Sequence, residues 1–129
     1  GEMSDKLYLS IPLVPPSVNH YKTRFRNGNT VVSKSAMAFK DTIALLIRGK
    51  FAQGKTFAVS MTITLGQGDR GDIDNYPKMV MDGLAGAGAF RNRKGENMSD
   101  AHVTRMLVCL DRDERPEHGF TEVWVEAIA

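Results

Sequence analysis

Four acids and a lysine carry the chemistry this chain could perform. Asp72 and Asp74 stand two residues apart, Lys78 follows four residues later, Asp82 four after that, and Asp100 lies in a separate, later segment. Carboxylate oxygens without thiolate or clustered imidazole partners select a hard cation, Mg2+ or Mn2+. Grouped carboxylates repel one another and resist ionising together, and a divalent cation offsets that repulsion. The spacing admits a plainer reading as well. On one helix face, Asp74, Lys78 and Asp82 would form a solvated ladder of (i, i+4) ion pairs worth about 0.2–0.5 kcal/mol each. Convergence of Asp100 on Asp72 and Asp74 is an expectation that spacing does not prove.

Other motifs fail. The glycine-rich run at 66–71 leads to Asp72 where a phosphate-binding loop needs Lys and then Ser or Thr, and an acid there repels phosphate. An EF-hand begun at Asp69 puts Val80 where the twelfth-position Glu belongs, and one begun at Asp72 lacks the sixth-position glycine. His20, His102 and His118 are too scattered for a zinc motif, and Cys109 is the sole cysteine.

The elements that must present these residues follow from periodicity. A helix over 73–87 puts Ile73, Tyr76, Val80, Leu84 and Ala87 on one face and Asp74, Lys78 and Asp82 on the other. Asp74 suits its N-cap, and Pro77 its first turn. Residues 57–65 alternate strictly (Phe57, Val59, Met61, Ile63 and Leu65 against Ala58, Ser60, Thr62 and Thr64), which predicts a strand with one buried face feeding the loop to Asp72. Residues 6–14 read as a first strand, closed by Pro15-Pro16. The basic stretch 19–30 reads as a loop or a hairpin. Ser33 suits the N-cap of a helix over 34–50 whose apolar face holds Met37, Phe39, Ile43, Leu46 and Ile47. Residues 90–99 form a polar, basic loop. A strand over 102–110, apolar on both sides, belongs well inside the sheet. The last strand, 121–128, should pair antiparallel with it. The implied fold is α/β of the α+β type, a mixed sheet of about four strands with two helices, in a single domain over residues 1–129.

With 42% hydrophobic residues the chain can bury a core, yet it has no apolar run long enough to span a membrane, and its opening residues lack an apolar segment of signal-peptide length. A single cysteine fits a reducing, cytoplasmic setting, with Cys109 as a small core hydrophobe. Charge is uneven. Residues 20–55 hold eight Lys or Arg against Asp41 alone, whereas 56–129 hold eight basic and twelve acidic residues. A basic segment beside an acidic cluster suits a metal-using protein that binds a polyanion. An ordinary uneven surface is the competing reading.

Three segments together resemble the RusA-type Holliday-junction resolvases, dimeric endonucleases often carried by phages and prophages. They are Pro15-Pro16-Ser17-Val18-Asn19-His20-Tyr21; then Asp72-Ile73-Asp74-Asn75 with Lys78 and Asp82, in a D-x-D-N-x-x-K-x-x-x-D pattern; and Ser99-Asp100-Ala101-His102-Val103. The likeness covers about residues 7–128. It implies catalytic and metal-binding roles for Asp72, Asp74 and Asp100, a cationic catalytic role for Lys78, and support from Asn75 and Asp82. The family usually has two adjacent acids where this chain has Ser99-Asp100, and the loop 91–98 is longer than expected.

What the resemblance implies is Mg2+-dependent cutting of DNA by a homodimer, with paired symmetric nicks in a four-way junction during recombination and repair. DNA contacts would come from Asn19, Tyr21, Lys22, Arg24, Arg26 and Lys34 in the basic stretch, and from Arg70, Arg91, Arg93 and Lys94 in the loops. Tyr21 and Phe25, set among basic residues, could stack on bases, although such aromatics more often anchor loops. A nuclease without junction selectivity, a junction-binding protein without catalysis, and an inert α/β domain remain as alternatives.

Overall fold

A computed structural model describes residues 5–17, 22–24 and 30–129. In chain order the elements are β1 (Lys6–Ile11), β2 (Lys22–Arg24), β3 (Thr30–Val32), α1 (Lys34–Ile47), β4 (Ala52–Gln53), β5 (Phe57–Thr64), a 3₁₀ turn (Ile73–Asn75), α2 (Pro77–Gly86), β6 (Phe90–Arg91), a second 3₁₀ turn (Asp100–His102), β7 (Val103–Asp111) and β8 (Phe120–Ala127). The main sheet has the order β1-β8-β5-β7, with β5 and β7 parallel and the other neighbours antiparallel. The expected mixed four-stranded sheet and two helices are both present. Small ladders join β2 antiparallel to β3, at the described residues of the basic stretch, and β4 parallel to β6.

Alternation decides which face of the sheet is covered. Leu7, Leu9 and Ile11 of β1, Phe57, Val59, Met61 and Ile63 of β5, and Val123 and Val125 of β8 are buried. They share one core with Ala36, Phe39, Ile43 and Ile47 of α1 and Met79, Val80 and Leu84 of α2. The other face stays open to solvent. There Tyr8 packs on Trp124 with ring centroids 5.4 Å apart, and its hydroxyl donates to Glu122 over 2.8 Å.

Several expectations need correcting. Strand β7 is not interior: it is an edge, bonded to β5 alone among the described residues, with Met106 50% and Leu107 60% exposed. Cys109 is exposed rather than core. Nor do β7 and β8 form a hairpin, because β5 lies between them. Their connection crosses the end of β5 at Gly119, where an added Cβ would strike Val14 and the Thr64 carbonyl oxygen. Helix α1 ends at Ile47, and Met37 and Leu46 face solvent, since only the Ala36, Phe39, Ile43 and Ile47 stripe reaches the core. Its N-cap is as expected, with Ser33 Oγ accepting from the Ala36 N–H over 3.2 Å.

Candidate active site

The run 72–82 is not one helix. Pro77 has no N–H to donate back to residue 73, so α2 starts at Pro77, and residues 73–75 form a separate 3₁₀ turn. The N-cap of α2 is Tyr76, not Asp74. Ile73, expected on the buried face, is 45% exposed, whereas Tyr76 is buried. Asp72 opens the 3₁₀ turn and Asp74 lies within it, and both are exposed. Asn75 donates its backbone N–H to the Asp72 carbonyl over 2.9 Å, closing that turn. On α2, Lys78 Nζ lies 3.4 Å from Asp82 Oδ2, so the ladder keeps its second rung.

A frame of contacts holds the loop that presents Asp72. The Tyr76 hydroxyl donates to the Arg70 carbonyl over 2.8 Å. Arg115 Nη1 donates to the carbonyls of Asp69 (2.6 Å) and Gly66 (3.1 Å), and Asp69 Oδ2 accepts from the Gly66 N–H over 2.7 Å. Arg112 Nη2 donates to the Gly71 carbonyl over 2.6 Å and stands 3.8 Å from Asp72 Oδ1. Gly71 has φ 153°, and a Cβ there would come within 2.5 Å of the Tyr76 hydroxyl oxygen. Burial pushes the Tyr76 phenol above its ordinary pKa and nearby Asp69 adds to that, while Arg112 and Arg115 pull the other way. Sequence reading missed Arg112, Arg115 and the Tyr76 hydroxyl, because arginines in a charged turn some forty residues away give no local signal. Val14, Pro15, Pro16 and Ser17 line an open pocket of about 330 Å³ with Asp69, Arg70 and Tyr76, which brings the first motif alongside this loop.

Asp100 lies elsewhere. It opens the 3₁₀ turn before β7, capped by Ser99 Oγ accepting from the Ala101 N–H over 3.3 Å. Arg112, the partner of Asp72, follows the far end of β7. Nine residues of strand span about 26 Å, so a single chain holds Asp100 toward one end of β7 and Asp72 toward the other. Among the described residues no three His, Cys, Asp or Glu side chains come together as a metal site. The oxygen donors suit a hard cation, but within one chain the three acids do not make one site.

The basic residues divide in the same way. Arg70 is exposed beside Asp72, and Lys34 is exposed at the start of α1. Arg93 and Lys94 are exposed at the Asp100 end, where they line an open pocket of about 470 Å³ with Lys55 and His102. Arg91 is committed to packing: its guanidinium lies 4.3 Å from the centre of the Phe51 ring and its Nε donates to the Gly88 carbonyl over 3.3 Å. Lys22 and Arg24 are on β2. Asn19, Tyr21, Phe25 and Arg26 lie outside the described residues.

No protein-family model matches this chain. Among curated proteins it is similar to a crossover junction endodeoxyribonuclease, rusA, of Enterobacteria phage 82, with 35% identity over 97 residues, which is 73% of this chain and 78% of that one. The chain belongs to the RusA family. For a RusA-family chain, the anchored loop explains how Asp72 and Asp74 are held out to solvent in a fixed place. No helix among its described residues is long and apolar enough to cross a membrane.

Proposed function

We propose that this protein is a divalent-cation-dependent endonuclease that resolves four-way DNA junctions in recombination and repair. The observation that carries the reading is the exposed Asp72–Asp74 pair, fixed on an arginine- and tyrosine-braced loop in a RusA-family chain. Asp72 and Asp74 supply carboxylate oxygens suited to Mg2+ or Mn2+, and Asp100, held toward the other end of β7, would join them only from the second copy of a homodimer. When bound, such a cation lowers the pKa of a water and stabilises charge on an attacked phosphate. Lys78, 62% exposed on the first turn of α2 and oriented by Asp82, offers a point charge to a phosphate oxygen. Asn75 closes the turn that carries both acids. Arg70, Arg93 and Lys94, with the β2–β3 ladder and Lys34, hold the DNA backbone. A two-fold homodimer would place two sites symmetrically and make paired nicks. The exposed, unpaired Cys109 suits a reducing, cytoplasmic compartment.

The test is cleavage of a synthetic mobile junction in Mg2+, compared with a fork and a plain duplex, for the native protein and Asp74→Asn. Nicking confined to the junction and abolished by the substitution is expected. Nicking undiminished in Asp74→Asn overturns the assignment, and equal cutting of duplex removes the junction selectivity. The distance of Asp100 from the other acids within a chain favours one second reading, junction binding without cleavage. That reading predicts tight junction binding that survives Asp72→Asn, and no nicking by the native protein in either cation.

A further inference from the structure

The loop 91–98 is braced from within. Asn92 Oδ1 accepts from the backbone N–H groups of Lys94 (3.0 Å) and Glu96 (2.9 Å), and Asn92 Nδ2 donates to Glu96 Oε1 over 3.0 Å. Gly95 turns the chain at φ 84°. Gln53 Nε2 donates to the carbonyls of Asn92 (3.0 Å) and Arg93 (3.1 Å), which ties the loop to β4. An antiparallel bridge between Arg91 and Asn97 closes its base.

This frame sets Arg93 and Lys94 at a pocket of about 470 Å³, with Lys55 between β4 and β5 and His102 just before β7. We propose that the pocket holds one unpaired nucleotide of the DNA, its base against Met98 and its phosphate among Lys55, Arg93 and Lys94, an inference that rests on the nuclease reading above for the choice of DNA.

Charge calls for an anion. Lys55, Arg93 and Lys94 are exposed, and among the described residues none of them forms an ion pair. Gathered round one pocket they repel one another, and an anion offsets that repulsion. Glu96 is the one acid among the lining residues, and the Asn92 side chain engages it. Arginine meets phosphate with its planar fork and lysine as a point charge.

Burial calls for more than an anion. Gly54 is buried and Met98 half-buried, whereas the charged side chains and His102 are exposed. The pocket is therefore apolar within and cationic at its mouth. Bare phosphate uses only the mouth, but a nucleotide uses both parts. A thioether makes favourable contacts with flat aromatic rings, so Met98 suits a base. The imidazole of His102 can stack on one as well. The volume falls in the range of about 300–1,000 Å³ common for small organic ligands.

A base must leave the duplex to enter. That costs pairing and stacking energy, least where the base is already unpaired, as at a branch point. The pocket thus favours branched DNA over plain duplex. His102 ends the 3₁₀ turn that Asp100 opens, so the held nucleotide stands next to one of the acids.

Binding is read without cleavage, in metal-free buffer. In NMR of methyl-labelled methionines, with Met98 assigned through Met98→Leu, dAMP should shift the Met98 methyl and the His102 ring signals. Deoxyadenosine should shift them weakly, and inorganic phosphate should move His102 alone. Lys55 is exposed, so Lys55→Glu spares the fold and should weaken dAMP binding several-fold. A four-way junction carrying 2-aminopurine at the crossover should brighten on binding native protein, as the base leaves its stack. It should not brighten with Lys55→Glu, nor when the 2-aminopurine lies within an arm.

An unmoved Met98 signal, or an equal response to phosphate alone, overturns the nucleotide site. An acidic peptide that shifts the same signals more than dAMP does overturns it in favour of a protein partner. A response to dAMP without brightening at the crossover overturns DNA as the source of the nucleotide. Native protein that nicks junctions yet shows neither response loses the pocket and keeps the nuclease reading. Protein that shows both and never nicks keeps the pocket and loses that reading.

Discussion

Replacing Tyr76 with phenylalanine isolates the frame that presents Asp72. The ring is buried, with 3% of its surface exposed, and the substitution keeps it in place. What goes is one hydroxyl donating to the Arg70 carbonyl over 2.8 Å. A hydrogen bond of this kind contributes about 1 kcal/mol net. For a domain of this length, with an unfolding entropy of about 2.1 cal/mol/K per residue, that lowers the melting temperature by about 4 °C. Differential scanning calorimetry at pH 7 measures it. The pH dependence supplies a second check. The folded-state pKa of Tyr76 is raised, so the contribution of the protonated phenol is complete below its ordinary value of 10.0 and is lost as pH rises through the folded value. The gap between the native protein and Tyr76→Phe should therefore hold steady at neutral pH and close in strong alkali. Arg70 lies two residues before Asp72, so junction nicking should slow several-fold while junction affinity stays unchanged. Equal melting temperatures at neutral pH, or a gap that widens with alkali, would refute this account of the loop.

Other substitutions probe other links. Gly119→Ala forces a methyl against Val14 and the Thr64 carbonyl, and should cost about 1–3 kcal/mol in urea unfolding. Ser33→Ala removes the cap of α1 and should cost about 1 kcal/mol with no change in nicking rate. Asp72 is 85% exposed and its ion pair with Arg112 is long, so Asp72→Asn should shift stability by no more than about 0.5 kcal/mol while abolishing nicking. Junction affinity should fall steeply with salt, and Arg93→Ala or Lys94→Ala should each reduce the slope of log affinity against log salt by about one.

The sheet was legible in the sequence wherever burial alternates. Phe57 to Ile63 show it plainly, because each second residue must enter the core. The edge position of β7 was hidden, because two-sided apolarity reads as interior burial whether the second surface is covered by the same chain or by another. The acids of the candidate site could be named from spacing, since a hard-cation site restricts the residue types it can use. Their placement could not. It depends on Pro77 ending one turn and starting another, on Arg112 and Arg115 reaching back across the end of the sheet, and on the direction of a parallel crossover. None of these leaves a periodic trace near Asp72. Ile73 misled for the same reason: its helical phase was right for a helix that begins four residues later.

Strand β8 lies between β1 and β5, so the ladder that pairs Lys6 with Glu126 joins segments from near the two ends of the chain. Closing so long a loop costs entropy before any contact rewards it. The β5–β7 crossover and the β5–β8 pairing can form without β1, which would then dock as the last strand. In hydrogen exchange, the amides of β1 should open first among the four strands by local peeling, and those of β5, bonded on both sides, should open only with the whole molecule. Folding speed would then be set by the most distant strand pair.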